Sequence, residues 1–486
     1  MVDKTSNRFG IREFVFESNQ LYINGEKTFL RGVNRHQEYP FIGYALSDNA
    51  QYRDAKKIKD AGFNYIRLSH YPHSPAFMDA CDELGIVVLD AILGWQYYLD
   101  DDRFRDYCYR SAKELILRDR NRPSVLAWEV SLNESAMPMF FMEELHRIVH
   151  TEYPGKHVYS CGWKDEVYDI YLQARQHRLL HYNEDQKKPY VVSEYGDWEY
   201  FSTNAGLNQH NYSKEVRMEK SSRQLREYGE ARLLQQATNV QEAHNDNYTI
   251  PAFADSYWVM YDYNRGYDNS LEASGIMDIF RIPKFSYYFY KSQQDPEEEV
   301  VLNIASYWTA GSPLDIRVFS NCEEVKLYLN EKLIAAEKSE KDSISNNLTH
   351  PPFRFEIDAF EEGNLKAVGF IAGKQVAEHM VATPQEAAGL KLWIDESGKA
   401  PQVACNDVLF LYIAVVDGNG TTVPGFDGEI NLEKEGDVQI MNVGGIKAEA
   451  GIATALIKIG DQPGEIKFTA KGNRLLPGEL KIVPEK

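Results

Sequence analysis

The chain is poor in the residues that would staple it, anchor it in lipid or bring it to a polyanion. Its five cysteines among 486 residues (Cys81, Cys108, Cys161, Cys322 and Cys405) are scattered, odd in number and without a Cys-x-x-Cys pair. That pattern argues against a disulfide framework or a structural zinc module and for buried thiols. No apolar run reaches the roughly 18 residues of a membrane span, and the opening MVDKTSNRFGIREF lacks the apolar heart of a signal peptide. An exported form would carry its signal outside this chain and be periplasmic or secreted; otherwise the expected compartment is cytoplasmic. Basic residues are outnumbered, 53 Lys and Arg against 73 Asp and Glu, and the formal net charge of -20 disfavours nucleic acid and anionic membrane as partners. No glycine-rich phosphate loop follows the first strand pattern, so an open dinucleotide-binding sheet is a poor fit.

Apolar residues are plentiful. At 43% hydrophobic and 13% aromatic the chain can build a large core, and its length suits two or three domains. The surplus of Tyr and Trp would suit stacking on sugar rings, although core filling accounts for most of it. From Leu21 the segment YINGEKTFL signals a hairpin with Asn24-Gly25 as its two-residue turn. Residues 1–20 read as the remnant strand of a preceding sandwich domain, with no strand following closely to pair with it.

A regular alternation then begins. FLRGVNRH is the first strand; Ser47 to Ala61 is a helix capped by Ser47 and closed by Gly62; FNYIRLS is the second strand. Helix Ser74 to Leu84, strand GIVVLDA, helix Phe104 to Arg120, strand SVLAWEVSLNE, helix Phe140 to Glu152 and strand HVYSC follow. Weaker signals are a strand near Val167 to Leu172 and a helix near Arg175 to Tyr182. YVVSE, a helix from Glu219 to Ala243 and a strand from Ala252 complete seven or eight alternations, the pattern of a (β/α)8 TIM barrel over residues 21–295. After the acidic linker QQDPEEEV the segments shorten and alternate with period two, which predicts two immunoglobulin-like β-sandwich domains, 296–385 and 386–486.

Two carboxylates fall where such a barrel keeps its chemistry. Glu134 ends the fourth strand and Glu194 the seventh, so both are expected at one mouth. Two carboxylates about 5 to 5.5 Å apart across a glycosidic bond perform retaining hydrolysis, one attacking the anomeric carbon and the other protonating the leaving oxygen. Asn133, beside Glu134, suits a sugar 2-hydroxyl. The bland reading is that glutamates at strand ends are common surface decoration.

Six stretches in order weigh against the bland reading. RGVNRHQ (Arg31 to Gln37), IRLSHYPHSP (Ile66 to Pro75), CDELGIVVLDA (Cys81 to Ala91), LRDRNRPSVLAWEVSLNES (Leu117 to Ser135), VVSEYG (Val191 to Gly196) and FADSYWVMYDY (Phe253 to Tyr263) resemble the barrel motifs of glycoside hydrolase family 2, which includes β-galactosidases, β-glucuronidases and β-mannosidases. The resemblance covers residues 8–292. It implies Glu134 as acid/base, Glu194 as nucleophile, Asn133 on the 2-hydroxyl, His36 and His70 lining the sugar subsite, and Trp258 as its aromatic platform. Arg67 is expected to pair with Glu194 or a nearby carboxylate and so keep the nucleophile ionised. Tyr195, Trp198 and Tyr200 are expected to wall the site, with Asp262 and Tyr263 as weaker candidates.

Departures from the family pattern are specific. Four residues rather than three separate Trp128 from the Asn133-Glu134 pair, so the strand is expected to bulge. After LDA, where metal-dependent galactosidases carry Glu and His, this chain has ILGWQYY, and the resemblance therefore implies no metal and no cofactor. The Asn-x-Lys by which glucuronidases hold a uronate is missing from the barrel's end; Asn330-Glu331-Lys332 reads as a turn, while Arg265, Arg281 or Lys164 remain candidates for an acidic sugar. The expectation is a retaining, exo-acting β-galactosidase acting on an oligosaccharide or glycan. A β-glucuronidase or other β-glycosidase, and a non-catalytic carbohydrate-binding relative, are the alternatives, and homo-oligomerisation is left open.

Overall fold

The computed structural model describes residues 4, 6–175, 187–196, 225–264 and 271–486. At its centre eight parallel strands close on themselves: β4 (Leu30–Arg35), β5 (Tyr65–Leu68), β6 (Val87–Ala91), β7 (Val125–Glu129), β8 (Ser160–Gly162), β9 (Ile170–Gln173), β10 (Tyr190–Tyr195) and β11 (Ala252–Tyr257), with β11 pairing back onto β4. All but β9, which alternates buried and half-buried residues, are short, nearly continuous buried runs, because helices cover the outside and side chains fill the inside. Helices α1 (Asp48–Asp60), α2 (Pro75–Leu84), α3 (Asp102–Asp119), α4 (Met139–Glu152), α5 (Glu230–Asn247) and α6 (Phe285–Lys291) are assigned among the described residues.

Local chemistry sets several of these boundaries. Ser47 accepts from the Ala50 amide and Ser74 from the Ala76 amide, and α2 stops at Gly85 in the left-handed region (φ 68°). The Glu219 to Ala243 helix is displaced: α5 runs from Glu230 to Asn247, and residues 219–224 lie outside the described residues, as does the expected helix near Arg175 to Tyr182 apart from its first residue.

The reading of the N-terminal segment is corrected. Phe14–Glu17 (β1) does have a partner: it turns at Ser18 and Asn19, both at positive φ, and pairs antiparallel with β2 (Gln20–Ile23), which continues through Asn24-Gly25 into β3 (Glu26–Lys27). Phe14 and Leu21 are buried with Leu126, Cys161, Ile170 and Phe253, so this small sheet plugs the N-terminal end of the barrel. The opposite end is left for the loops that follow the strands.

Beyond the barrel the chain is antiparallel β structure, as its period-two pattern dictates. After a short antiparallel pair, β12 (Tyr263–Asn264) and β13 (Leu271–Glu272), strands β14 (Leu302–Ile304), β15 (Asp315–Ser320) and β18 (Phe353–Glu356) form one sheet, and β16 (Glu324–Leu329), β17 (Lys332–Lys338), β19 (Asn364–Ile371) and β20 (Lys374–Ala382) the other, closing over Trp308, Val318, Leu327, Phe355 and Leu365. Asn330 and Glu331, both at positive φ, make the β16–β17 turn read from the sequence. The last strands, from Ala387–Ile394 to Gly478–Ile482, build a second sandwich around Leu411, Ile413, Ala455, Ile457 and Phe468.

That second sandwich is bolted to the barrel. Arg53 of α1, 1% exposed, grips Asp407 through both terminal nitrogens (2.8 and 2.9 Å) and donates to the Val408 and Lys399 carbonyls. Ser47 and Asn49 also donate to Asp407. Around this polar knot Tyr39 and Ala50 pack against Val408, Phe410, Tyr412 and Leu456.

Candidate active site

The mouth is assembled from strand ends. Asn34 and His36 come from the end of β4, Arg67 and His70 from β5, Glu129 to Glu134 from β7, Glu194 from β10 and Trp258 from β11. These are the C-terminal ends of the first, second, fourth, seventh and eighth strands, where a parallel barrel presents side chains to its substrate.

Arg67 is the hub. Its Nη1 donates to Glu194 Oε1 at 2.8 Å, while Nε and Nη2 clasp Glu129 at 2.8 and 2.5 Å; Nη2 also donates to Asn133 Oδ1 (3.0 Å) and Nη1 to Asn34 Oδ1 (3.3 Å). Asn34 in turn donates to the Ser193 carbonyl (2.9 Å), tying the first strand to the residue before Glu194. Arg67 is fully buried, and its two carboxylate partners hold its guanidinium firmly in the charged form despite burial.

One guanidinium thus serves two carboxylates. Burial, the largest influence, lifts Glu194 to about 7; Arg67 pulls it down, and the neighbouring Glu134 and Glu129 push it up. Arg67 pairs with Glu194 and favours its ionised form, as expected, but its charge is divided with Glu129 and burial outweighs it. His70, buried beside Arg67 and near His36 and His73, has its imidazole held well below the usual range and is neutral. Its Nε2 lies 3.4 Å from Asn133 Nδ2 and 3.7 Å from Glu194 Oε1.

The path from β7 to Glu134 is irregular. The strand bulges at Leu126, where Val125 pairs with Val88 but Ala127 with Leu89, and it ends at Glu129 with the Val130 amide folded back onto the Trp128 carbonyl (3.0 Å). A second contact then re-anchors the chain: Asn133 N donates to Gly94 O (3.0 Å) and Gln96 N to Asn133 O (2.7 Å). Gly94, at φ 144°, sits where a Cβ would meet Leu132 at 2.5 Å. Glu134 itself is left-handed (φ 51°), an uncommon conformation for a non-glycine residue. Gln96 donates to Glu134 Oε2 at 3.1 Å, from the very stretch, ILGWQYY, that departs from the metal-binding pattern.

Aromatic rings wall the opening. His70 stacks on Trp258 (centroids 5.6 Å, 10°), His36 meets Trp258 edge-on at 5.4 Å and faces Tyr263 at 4.3 Å, and Trp95 lies 6.0 Å from His70. His36, His70, Arg67, Asn133, Glu134, Glu194 and Trp258 are thus brought together, and Tyr263 joins them. Tyr195 does not: it points outward, 0% exposed, with its hydroxyl 3.2 Å from His244 of α5 and 3.0 Å from Tyr290 of α6. Alternation along β10 decides this, since Glu194 faces the interior and its neighbour must face the helices. Trp198 and Tyr200, like Arg265, lie outside the described residues. Asp262 is buried against Lys284 Nζ (2.8 Å), and Arg281 is locked beneath the loops against Asp54 and the Glu38 carbonyl.

Sequence reasoning missed Glu129, Asn34, Trp95 and Gln96. Glu129 had a signal: a lone carboxylate inside the apolar run VLAWEV has to find a cation, and Arg67 is the lone cation inside YIRLS.

Similarity to known proteins agrees with this geometry. Residues 14–295 match the family described as "Glycosyl hydrolases family 2, TIM barrel domain", and residues 311–377 match a domain of unknown function, DUF4982. The chain belongs to glycoside hydrolase family 2. It is 32% identical to a β-galactosidase of Thermoanaerobacter pseudethanolicus over 97% of this chain and 64% of that one, and 25% identical to a β-glucuronidase of Formosa agariphila over 90% of this chain and 44% of that one. Among solved structures, a β-glycosidase from Bacteroides vulgatus superposes with a TM-score of 0.80 at 20% identity, covering 98% of this chain and 67% of that one, a likeness of fold. The chain therefore spans less than two thirds of the length of these curated family 2 relatives.

Proposed function

We propose that this family 2 chain is a retaining, exo-acting β-glycosidase, with terminal β-galactosides as its preferred substrates. The observation that carries the reading is the Glu194–Arg67–Glu129 cluster with Glu134 beside it: three carboxylates around one guanidinium, in a buried mouth lined by aromatic rings. Full ionisation would leave two uncompensated negative charges there, so the cluster favours holding one proton around neutrality. One acid and one carboxylate is the state that double displacement uses, and the shifted titration in this cluster is that of Glu194, lifted to about 7 by burial.

In the first step a Glu194 oxygen attacks the anomeric carbon while the bond to the leaving oxygen breaks and Glu134 gives that oxygen its proton. In the second, Glu134 takes a proton from water, whose oxygen attacks the same carbon and releases Glu194. Asn133, oriented by Arg67 and by the Gly94 and Gln96 backbone, is placed to meet the 2-hydroxyl, and Trp258 with His36 and His70 to hold the ring. The commitment of Arg281 to Asp54 and of Lys284 to Asp262 supports a neutral sugar over a uronate.

Turnover of aryl β-galactoside, β-glucuronide and β-mannoside tests the proposal. Glu194→Gln is expected to abolish hydrolysis, while Glu134→Gln spares the first step for activated phenol leaving groups and blocks it for alkyl ones. Wild-type turnover in both variants would overturn the assignment. Preference for the glucuronide would move the substrate class, and sugar retention without phenol release would make the chain a binding protein.

A further inference from the structure

A second constellation lies at the other end of the barrel. His146 and His150, four residues apart on α4, share one helix face with ring centroids 4.6 Å apart. Asp169, the residue before β9, brings its carboxylate between them: Oδ2 is 2.9 Å from His150 Nε2 and 3.9 Å from His146 Nδ1. One donor atom from each of the three lies within 4.8 Å of the others, the one such His, Cys or carboxylate group among the described residues. Ser160, the first residue of β8, steadies it, its amide donating to Asp169 Oδ2 (2.8 Å) and its hydroxyl lying 2.7 Å from His146 Nδ1.

We propose that His146, His150 and Asp169 form a binding site for a divalent transition-metal ion, zinc foremost, that pins α4 to the feet of β8 and β9. Zinc takes imidazole nitrogen and carboxylate oxygen at about 2.0–2.2 Å, which places tetrahedral donors about 3.3 Å apart. That spacing lies between the two separations to Asp169 Oδ2, so rotation of the imidazoles closes the set. The side chains are about one-third exposed, at 30, 35 and 31%, which gives an ion a route in and leaves a position for water. Two imidazoles and one carboxylate suit zinc, nickel or cobalt better than magnesium or calcium.

The site differs in place from the mouth, where no metal is expected. Ser160 begins its strand and Asp169 precedes the next, so the cluster belongs to the N-terminal face, the end associated with stability rather than chemistry.

Zinc titration of the tag-free, chelator-treated chain by calorimetry, with metal content counted after gel filtration, is the test. One zinc per chain, binding weakened at least about tenfold in His146→Ala and in His150→Ala, and a melting temperature raised by zinc in the wild type alone are the expected results. No binding up to about 100 µM zinc, or equal binding in both variants, would overturn the proposal. A variant can also lose zinc by losing its fold, so cobalt(II) is added to the wild type as well. Visible d–d absorption at one equivalent supports nitrogen ligation, and its absence counts against the site.

Discussion

Replacing Glu194 by Gln should stabilise the fold above neutral pH while it removes turnover. Glu194 is 3% exposed, and burial lifts its carboxyl from 4.5 to about 7. The folded protein therefore holds this proton more tightly than the unfolded chain does. The stabilisation gained from the protonated acid is complete below about pH 4.5 and is lost as pH rises through about 7. At 1.36 kcal/mol per pH unit, a rise of about 2.5 units makes the ionised carboxylate cost about 3 kcal/mol at pH 8 relative to pH 4. The amide keeps the shape and escapes that cost. Arg67 loses one ionised partner but keeps its two-point clasp on Glu129, which offsets part of the gain and leaves roughly 1–3 kcal/mol. Urea unfolding of both proteins at pH 5 and pH 8, followed by tryptophan fluorescence, reads this directly, because five of the seven tryptophans (Trp95, Trp128, Trp163, Trp198 and Trp258) lie in the barrel segment. The difference between variant and wild type cancels the other titrating groups. A stability gap that stays constant between the two pH values, or that narrows as pH rises, would refute the reasoning.

Two further outcomes follow from the same cluster. Arg67→Met strands Glu129 and Glu194 as buried, unpaired carboxylates and is expected to cost about 3–5 kcal/mol in urea unfolding at pH 7, with turnover lost. Trp258→Ala removes the ring stacked on His70 and is expected to raise KM for an aryl galactoside at least about tenfold, roughly 1.4 kcal/mol, with a smaller change in kcat; an unchanged KM would remove Trp258 from the subsite.

Much of this architecture was legible because parallel barrel strands are short apolar runs separated by capped helices. Ser47, Ser74 and Gly85 stand at the helix boundaries expected of them. What escaped was decided by partners that a linear reading does not supply. The pairing of Phe14–Glu17 rests on two left-handed residues, Ser18 and Asn19, in place of a glycine turn. Lys332–Lys338 and Lys374–Ala382 are edge strands with charged, exposed faces, which hides their periodicity. At the mouth, the residues carried by motifs lie together, whereas Glu129 went unnoticed in mid-strand. Tyr195 was placed on the wrong side although alternation from Glu194 already fixed its direction.

The grip of Arg53 on Asp407 makes the chain indivisible where its sequence looks modular. A protein cut after residue 385 would leave a buried guanidinium facing water without its carboxylate, and would strip Tyr39 and Ala50 of Phe410, Tyr412 and Leu456. Helix α1 is the next element after β4, whose end presents Asn34 and, one residue on, His36. The far sandwich is thus a splint for the first wall of the mouth, and any shortened version meant to isolate the barrel would have to replace it.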